Sequence, residues 1–173
     1  TLDHLSITGA LTGVLGNQNL GSDRVVVSNS NVWGNEGSGI WINIGNADFS
    51  VRDSAVHGNK DQGIYLAGAG ARAQRNDVYG NGQWGIYVNG PAGTPITVEA
   101  NKVHDNAAGG ITGYYNVQIK GNEVYSQLTS GRYGITAYYS GAVASGNFVH
   151  HNDYGVYVNN GAVATDNEVY ANT

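Results

Sequence analysis

The sequence contains no cysteine and no methionine, and only two of its 173 residues are proline. Without cysteine there is neither a disulfide frame nor a thiolate metal site. The missing methionine leads to the expectation that the chain starts after processing or is cut from something longer. Charge is scarce as well: 12% of the residues are charged, and the net charge is −5. Nucleic-acid binding needs a basic face, so that class is set aside. No apolar run approaches the roughly 18 residues of a membrane span. Helix formers such as Lys, Glu and Leu are few, whereas glycine (27) and tyrosine (12) abound. That balance favours a turn-rich β protein.

What the sequence does contain is one phrase written repeatedly. "NVWGNEGSGIWINIG" (31–45), "AVHGNKDQGIYLAG" (55–68), "DVYGNGQWGIYVNG" (77–90) and "FVHHNDYGVYVNNG" (148–161) are variants of it. Anchored on valine, the repeat recurs at Val32, Val56, Val78, Val103, Val124, Val149 and Val169, with Ile7 a weaker first member. Two residues before the anchor stand Ser30, Ser54, Asn76, Asn101, Asn122, Asn147 and Asn167. Three after it come Asn35, Asn59, Asn81, Asn106, Gln127, Asn152 and Asn172. Apolar pairs such as Val25/Val27 and Ile96/Val98 precede each anchor, and Gly-Ile or Gly-Val follows each turn.

Each repeat thus holds three short period-2 strands divided by two Asn-marked turns and a variable loop. Strands so short bury no face alone, but coils stacked in register form parallel ladders around a Val/Ile centre. Asn in the turns is expected to adopt the left-handed conformation and pass hydrogen bonds between coils. The expected fold is all-β: one right-handed parallel β-helix over 1–173, of about seven coils with three short strands each. At about 4.8 Å per coil, it would be roughly 35 Å long. Few leucines and no LxxLxL exclude a leucine-rich repeat, and no GGxGxD calcium repeat occurs. In these columns the chain resembles the right-handed parallel β-helix superfamily of pectate-lyase-like and carbohydrate-processing repeat proteins, including the repeats of mannuronan epimerases. The resemblance covers nearly the whole chain and speaks for fold more than activity.

Charged residues sort down the columns with alternating sign. Arg52, Gln74, Glu99 and Lys120 share one column, Asp77, Lys102 and Glu123 another, and Asp53 precedes Arg75 in a third. Ladder neighbours of opposite sign stabilise by a few tenths to about 1 kcal/mol, so these read as structural pairs.

Two aromatic columns face outward. One reads Trp33, His57, Tyr79, His104, Tyr125, His150, Tyr170; the other reads Trp41, Tyr65, Tyr87, Thr112, Thr136, Tyr157. Asn43, Asn89 and Asn159 flank the second column, and Thr112 and Thr136 are expected to lower its floor into a subsite. In the superfamily this strand floors a groove for an extended polysaccharide, and sugars pack on aromatic faces. The expected carbohydrate-binding residues are therefore Trp41, Tyr65, Tyr87, Tyr157, Asn43 and Asn89.

Catalysis has weaker support. Mannuronan epimerases carry an Asp-Pro-His-Glu stretch, but the prolines here are Pro91 and Pro95, so none of that family's catalytic residues carries over. The remaining constellation is His104, Asp105, Arg132, His150, His151 and Asp153, with Arg132 in an enlarged turn, "SQLTSGRYG". Arg132 with His150, His151 or Asp153 could act on an acidic sugar, or Arg132 and Asp153 could form one exposed ion pair. No cofactor is expected; the superfamily admits calcium, yet Glu36, Asp61 and Lys60 make a poor oxygen cage. The expectation is a secreted or cell-surface carbohydrate-binding or carbohydrate-processing segment of a longer β-helix. Its partner would be a polysaccharide, with no nucleic acid, no membrane span and end-to-end stacking on flanking coils or another chain. The alternatives are a structural stalk or adhesin module, and an acidic-polysaccharide lyase or epimerase with part of its catalytic set outside 1–173; an enzyme of this kind would be a polysaccharide lyase, epimerase or glycoside hydrolase.

Overall fold

The computed structural model describes residues 1–16, 23–127 and 130–173, leaving part of the enlarged turn before Arg132 outside the described residues. Every alternating segment is a strand, and each pairs in parallel with its equivalent one coil away. Three sheets result among the described residues. Sheet 1 has eight strands, from Leu2–Asp3 to Val163–Thr165, and sheet 2 has eight, from Ser6–Ile7 to Glu168–Tyr170. Sheet 3 has seven, from Val14–Gly16 to Tyr154–Asn159. Its strands lengthen along the chain, from three residues at Ile40–Ile42 to seven at Trp84–Gly90 and Gly109–Tyr115. Among the described residues no helix is long and apolar enough to cross a membrane.

The anchor valines pair directly, Val32 on Val56, then Val78, Val103, Val124 and Val149, and all six are fully buried. Ile40, Ile64, Ile86, Ile111 and Ile135 do the same on sheet 3. Each such burial contributes about 1.5–3 kcal/mol, and the column supplies it once per coil. Val169 keeps the register but is 48% exposed, since no described coil lies over it.

The corners differ in one respect from the expectation. The left-handed residue is the one before the ladder residue rather than the ladder residue itself: Asp53 before Ser54, Arg75 before Asn76 and Ala100 before Asn101 at the first corner, Gly80 before Asn81, Asp105 before Asn106 and Ser126 before Gln127 at the second. That turn points the following Asn side chain inward, where it bonds to the next coil. Asn76 N and Nδ2 both donate to Asn101 Oδ1 at 3.0 and 2.9 Å, and the pattern repeats through Asn122, Asn147 and Asn167. The second ladder runs Asn35, Asn59, Asn81, Asn106. Gln127 interrupts it: Gln127 Oε1 still accepts from Asn106 N, but Asn152 Oδ1 is left buried without a partner. One extra methylene displaces the amide from the ladder.

Candidate functional site

On sheet 3, outward positions alternate with the buried isoleucines, so Trp41, Tyr65 and Tyr87 project from consecutive coils in register. Their rings stack: Trp41 on Tyr65 at 4.1 Å, and Tyr65 on Tyr87 at 5.4 Å. Thr112 and Thr136 hold the next two places, and the ring series steps aside there. It passes from Tyr87 to Tyr114 at 5.5 Å, Tyr114 to Tyr138 at 4.9 Å, and Tyr138 to Tyr157 at 5.5 Å. Thr112 and Thr136 do not form an open subsite. They are 0% and 1% exposed, and Thr136 Oγ1 donates to Thr112 Oγ1. The ring series passes these two places through Tyr114 and Tyr138.

The amides beside the ribbon are tied to the rings. Trp41 Nε1 donates to Asn43 Oδ1 at 3.0 Å, Asn89 bonds the Tyr65 hydroxyl, and Asn159 Nδ2 donates to the Tyr157 hydroxyl at 2.8 Å. Each bond holds a ring upright on its strand. Burial pushes the Tyr65 and Tyr138 phenols above their ordinary range. Burial and the phenols of Tyr114 and Tyr65 push Tyr87 up to about 12.

Stacking changes what the rings offer. With Trp41, Tyr65 and Tyr87 within 17° of parallel, their faces lie against one another and their edges meet solvent. A sugar laid along the axis therefore meets ring edges and phenol hydroxyls rather than a flat aromatic platform. Faces open where the series tilts, by 32° at Tyr87–Tyr114 and 55° at Tyr138–Tyr157.

The sheet 2 column is a separate stack. Trp33, His57, Tyr79, His104, Tyr125, His150 and Tyr170 follow one another at 4.6 to 6.2 Å, nowhere more than 16° from parallel. The three histidines share one diagonal: His57 Nε2 meets Asn31, His104 Nε2 meets Asp77, and His150 Nε2 meets Glu123, each one coil earlier. Burial pushes the His57 imidazole below its ordinary value, against the pull of Asp77.

The stacked coils, their Asn ladders and the parallel sheets fix the fold, and comparison with known proteins agrees. The family model for the right handed beta helix region matches residues 13–90 and again 43–173. The chain belongs to the right-handed β-helix family. Among solved structures, this β-helix is similar to the periplasmic alginate epimerase AlgG, 17% identical, with a TM-score of 0.72 over 86% of this chain and 40% of that one. A single-substitution mutant of the same epimerase is 16% identical, with a TM-score of 0.67 over 97% of this chain and 44% of that one. At such identities the likeness shows the fold, and the chain spans less than half the length of either structure. No curated protein matches it.

The charged residues of this β-helix are largely tied to one another. Arg75 Nε meets Asp53 at 2.7 Å and Lys120 Nζ meets Glu99 at 3.2 Å, as the column signs indicate. Asp77, Lys102 and Glu123 are register partners, but the two acids face His104 and His150 while Lys102 lies over the Tyr125 ring. Lys60, in the turn before the Ile64–Leu66 strand, pairs with Glu36. Asp153 accepts from Gly131 N, and this backbone bond holds its carboxyl below the usual range. His150 Nδ1 lies 2.8 Å from His151 Nδ1, and the His104 Nδ1 lies 2.7 Å from Asp105. Arg132 is exposed, and among the described residues it makes no ion pair with Asp153. Trp84, Tyr133 and Tyr154 were not singled out from the sequence, although each stands just before the repeat's Gly-Ile or Gly-Val. Tyr133 contacts Tyr154 at 4.9 Å and Tyr157 at 5.2 Å, which widens the end of the ribbon.

Proposed function

We propose that this β-helix is a secreted or cell-surface carbohydrate-binding segment that lays a polysaccharide along the sheet 3 ribbon. The observation that carries the reading is the ring series from Trp41 to Tyr157, continuous across consecutive coils and lined by Asn43, Asn89 and Asn159. The described residues enclose no pocket, so the ligand that suits them is an extended one. Repeated weak contacts, one set per coil, hold a long chain on an open face by raising its effective concentration at each next coil. The names of the similar structures, periplasmic alginate epimerases, support a carbohydrate role and a place outside the cytoplasm.

The ribbon binds and does not cleave. Its titratable groups are phenols, and Tyr87 is pushed up to about 12. A phenol raised this far is a poor base near neutral pH, and the strands of the ribbon hold no carboxylate or imidazole to complete an acid–base pair with it. In affinity electrophoresis through polysaccharide-containing gels, the chain is expected to be retarded by at least one polymer. Tyr65→Ala should lose most of that retardation, and Tyr125→Ala on sheet 2 should keep it. Equal retardation of all three proteins would sink the assignment to sheet 3. The second reading, a lyase or epimerase acting on an acidic polysaccharide through Arg132, is favoured by what the similar structures are named for. It demands an ultraviolet rise from unsaturated uronate, or epimerised product, that Arg132→Ala abolishes. Neither signal is expected.

A further inference from the structure

Sheet 3 differs from its two neighbours in charge. Its described strands, 14–16, 40–42, 64–66, 84–90, 109–115, 133–138 and 154–159, hold no Asp, Glu, Lys, Arg or His. Sheet 1 carries Asp3, Arg52, Arg72, Glu99 and Lys120. Sheet 2 carries Asp77, Lys102, Glu123, Glu168 and three histidines. The strands of one repeat therefore differ sharply in charge according to which face they occupy, although those of sheet 3 are the longest.

From this separation we infer that the polymer held by sheet 3 is uncharged: a neutral, hydroxyl-rich polysaccharide running parallel to the helix axis across the edges of Tyr65, Tyr87, Tyr114, Tyr138 and Tyr157. The inference rests on the binding reading above and names the ligand class for it.

Three features of the face support the choice. A uronate presents one carboxylate per sugar, and each needs a cation or several N–H donors when it leaves water. The strands of the ribbon hold no cation, its Trp41 N–H is given to Asn43 and an Asn159 N–H to Tyr157, and the turns leading into sheet 3 carry Glu36, Asp61 and Asp153. Of the cations there, Lys60 is held by Glu36, which leaves Arg132 at one end of the ribbon. Second, the exposed chemistry is phenol hydroxyls and ring edges, which hydrogen-bond sugar hydroxyls and cover their CH groups without any charge. Third, the face resists negative charge on its own residues. Burial raises Tyr65, Tyr87 and Tyr138 together, so a phenolate forms there only at high pH. The same poor solvation penalises a ligand carboxylate at the same place.

The test compares soluble β-1,3-glucan, galactomannan, xyloglucan and amylose with polymannuronate, polyguluronate and polygalacturonate in affinity gels. The expected result is retardation by at least one neutral polymer and by none of the uronates. Raising NaCl from about 0.1 M to about 1 M shortens the Debye length from about 10 Å to about 3 Å, and the neutral retardation should change less than about two-fold. Asn159→Lys places a cation on the exposed end of the ribbon, and it should create uronate retardation that the higher salt removes. Retardation of the unaltered chain by uronates alone would overturn the inference while leaving the binding reading intact. So would neutral retardation that the higher salt abolishes. If no polymer of either class retards the chain, the binding reading falls and the inference with it.

Discussion

Replacing Asn122 by alanine is expected to lower the free energy of unfolding by about 3–5 kcal/mol, because buried donors and acceptors each cost about 1–3 kcal/mol when orphaned. Asn122 is fully buried, and its Oδ1 accepts from both Asn101 N and Asn101 Nδ2 at 2.9 Å. Its Nδ2 donates to Val98 O, Lys120 O and Asn147 Oδ1. Alanine removes all five bonds and leaves the Asn101 N–H and Val98 carbonyl buried without these partners. Aspartate should do no better, since it restores the acceptor for Asn101 but sets oxygen against oxygen at Val98 and Asn147. A fall in urea midpoint at unchanged slope measures the loss. Lys120→Ala is the contrast: it breaks the half-exposed pair with Glu99 and should cost less than about 1 kcal/mol. Equal midpoints for Asn122→Ala and Lys120→Ala would show that the ladder does not hold the coils together.

Gly110→Ala is the second large effect, expected near 3 kcal/mol, at the upper end of overpacking costs. A Cβ there would lie 2.3 Å from Val124 Cγ1 and 2.4 Å from the Gly134 backbone oxygen. The side chain could yield, but the backbone of the next coil cannot. The same conflict recurs at Gly39, Gly63, Gly85 and Gly134, which explains why glycine precedes the inward Ile in coil after coil. Gly121 is glycine for a different reason. Its φ is +61°, nothing lies within 4 Å of an added Cβ, and Ala100 adopts 54° at the same corner one coil earlier. Gly121→Ala should therefore cost about 1 kcal/mol, the backbone penalty alone. Matched urea titrations of the two variants separate close approach from backbone conformation. If Gly121→Ala were the worse of the two, the coils would not be packed as closely as this corner requires.

The inward columns, the Asn ladders and the parallel pairing were legible in the sequence because they obey a fixed register. Val78 over Val103 and Asn76 over Asn101 follow from counting, whatever surrounds them. The features that were not legible are diagonal. His104 reaches back to Asp77 instead of leaving it to Lys102, since a rigid ring stacked under Tyr125 projects its nitrogen toward the preceding coil. Tyr114 covers the step left by Thr112 because a tyrosine two residues further along the strand is long enough to span it. The left-handed residue before each ladder residue was only half marked. Gly34, Gly58, Gly80, Gly121, Gly146, Asn29 and Asp53 hold such places, as turn chemistry favours, but Arg75, Ala100 and Ser126 hold others, so residue type marks the position only in part. The candidate site was thus legible as a column of residues but not as a surface. Counting placed Trp41, Tyr65 and Tyr87 together, whereas the edge-on presentation and the detour to Tyr157 depend on ring orientation.

The central claim is that the sheet 3 ribbon, and not the equally aromatic sheet 2 stack, carries the ligand. Ring-labelled tyrosine NMR separates the two directly, with the chain titrated by short oligomers of whichever polymer retards it most. Tyr65, Tyr87, Tyr114, Tyr138 and Tyr157 should shift together and saturate at one concentration, while Tyr79, Tyr125 and Tyr170 stay in place. Shifts confined to Tyr79, Tyr125 and Tyr170, or no shift of any ring at saturating oligomer, would contradict it.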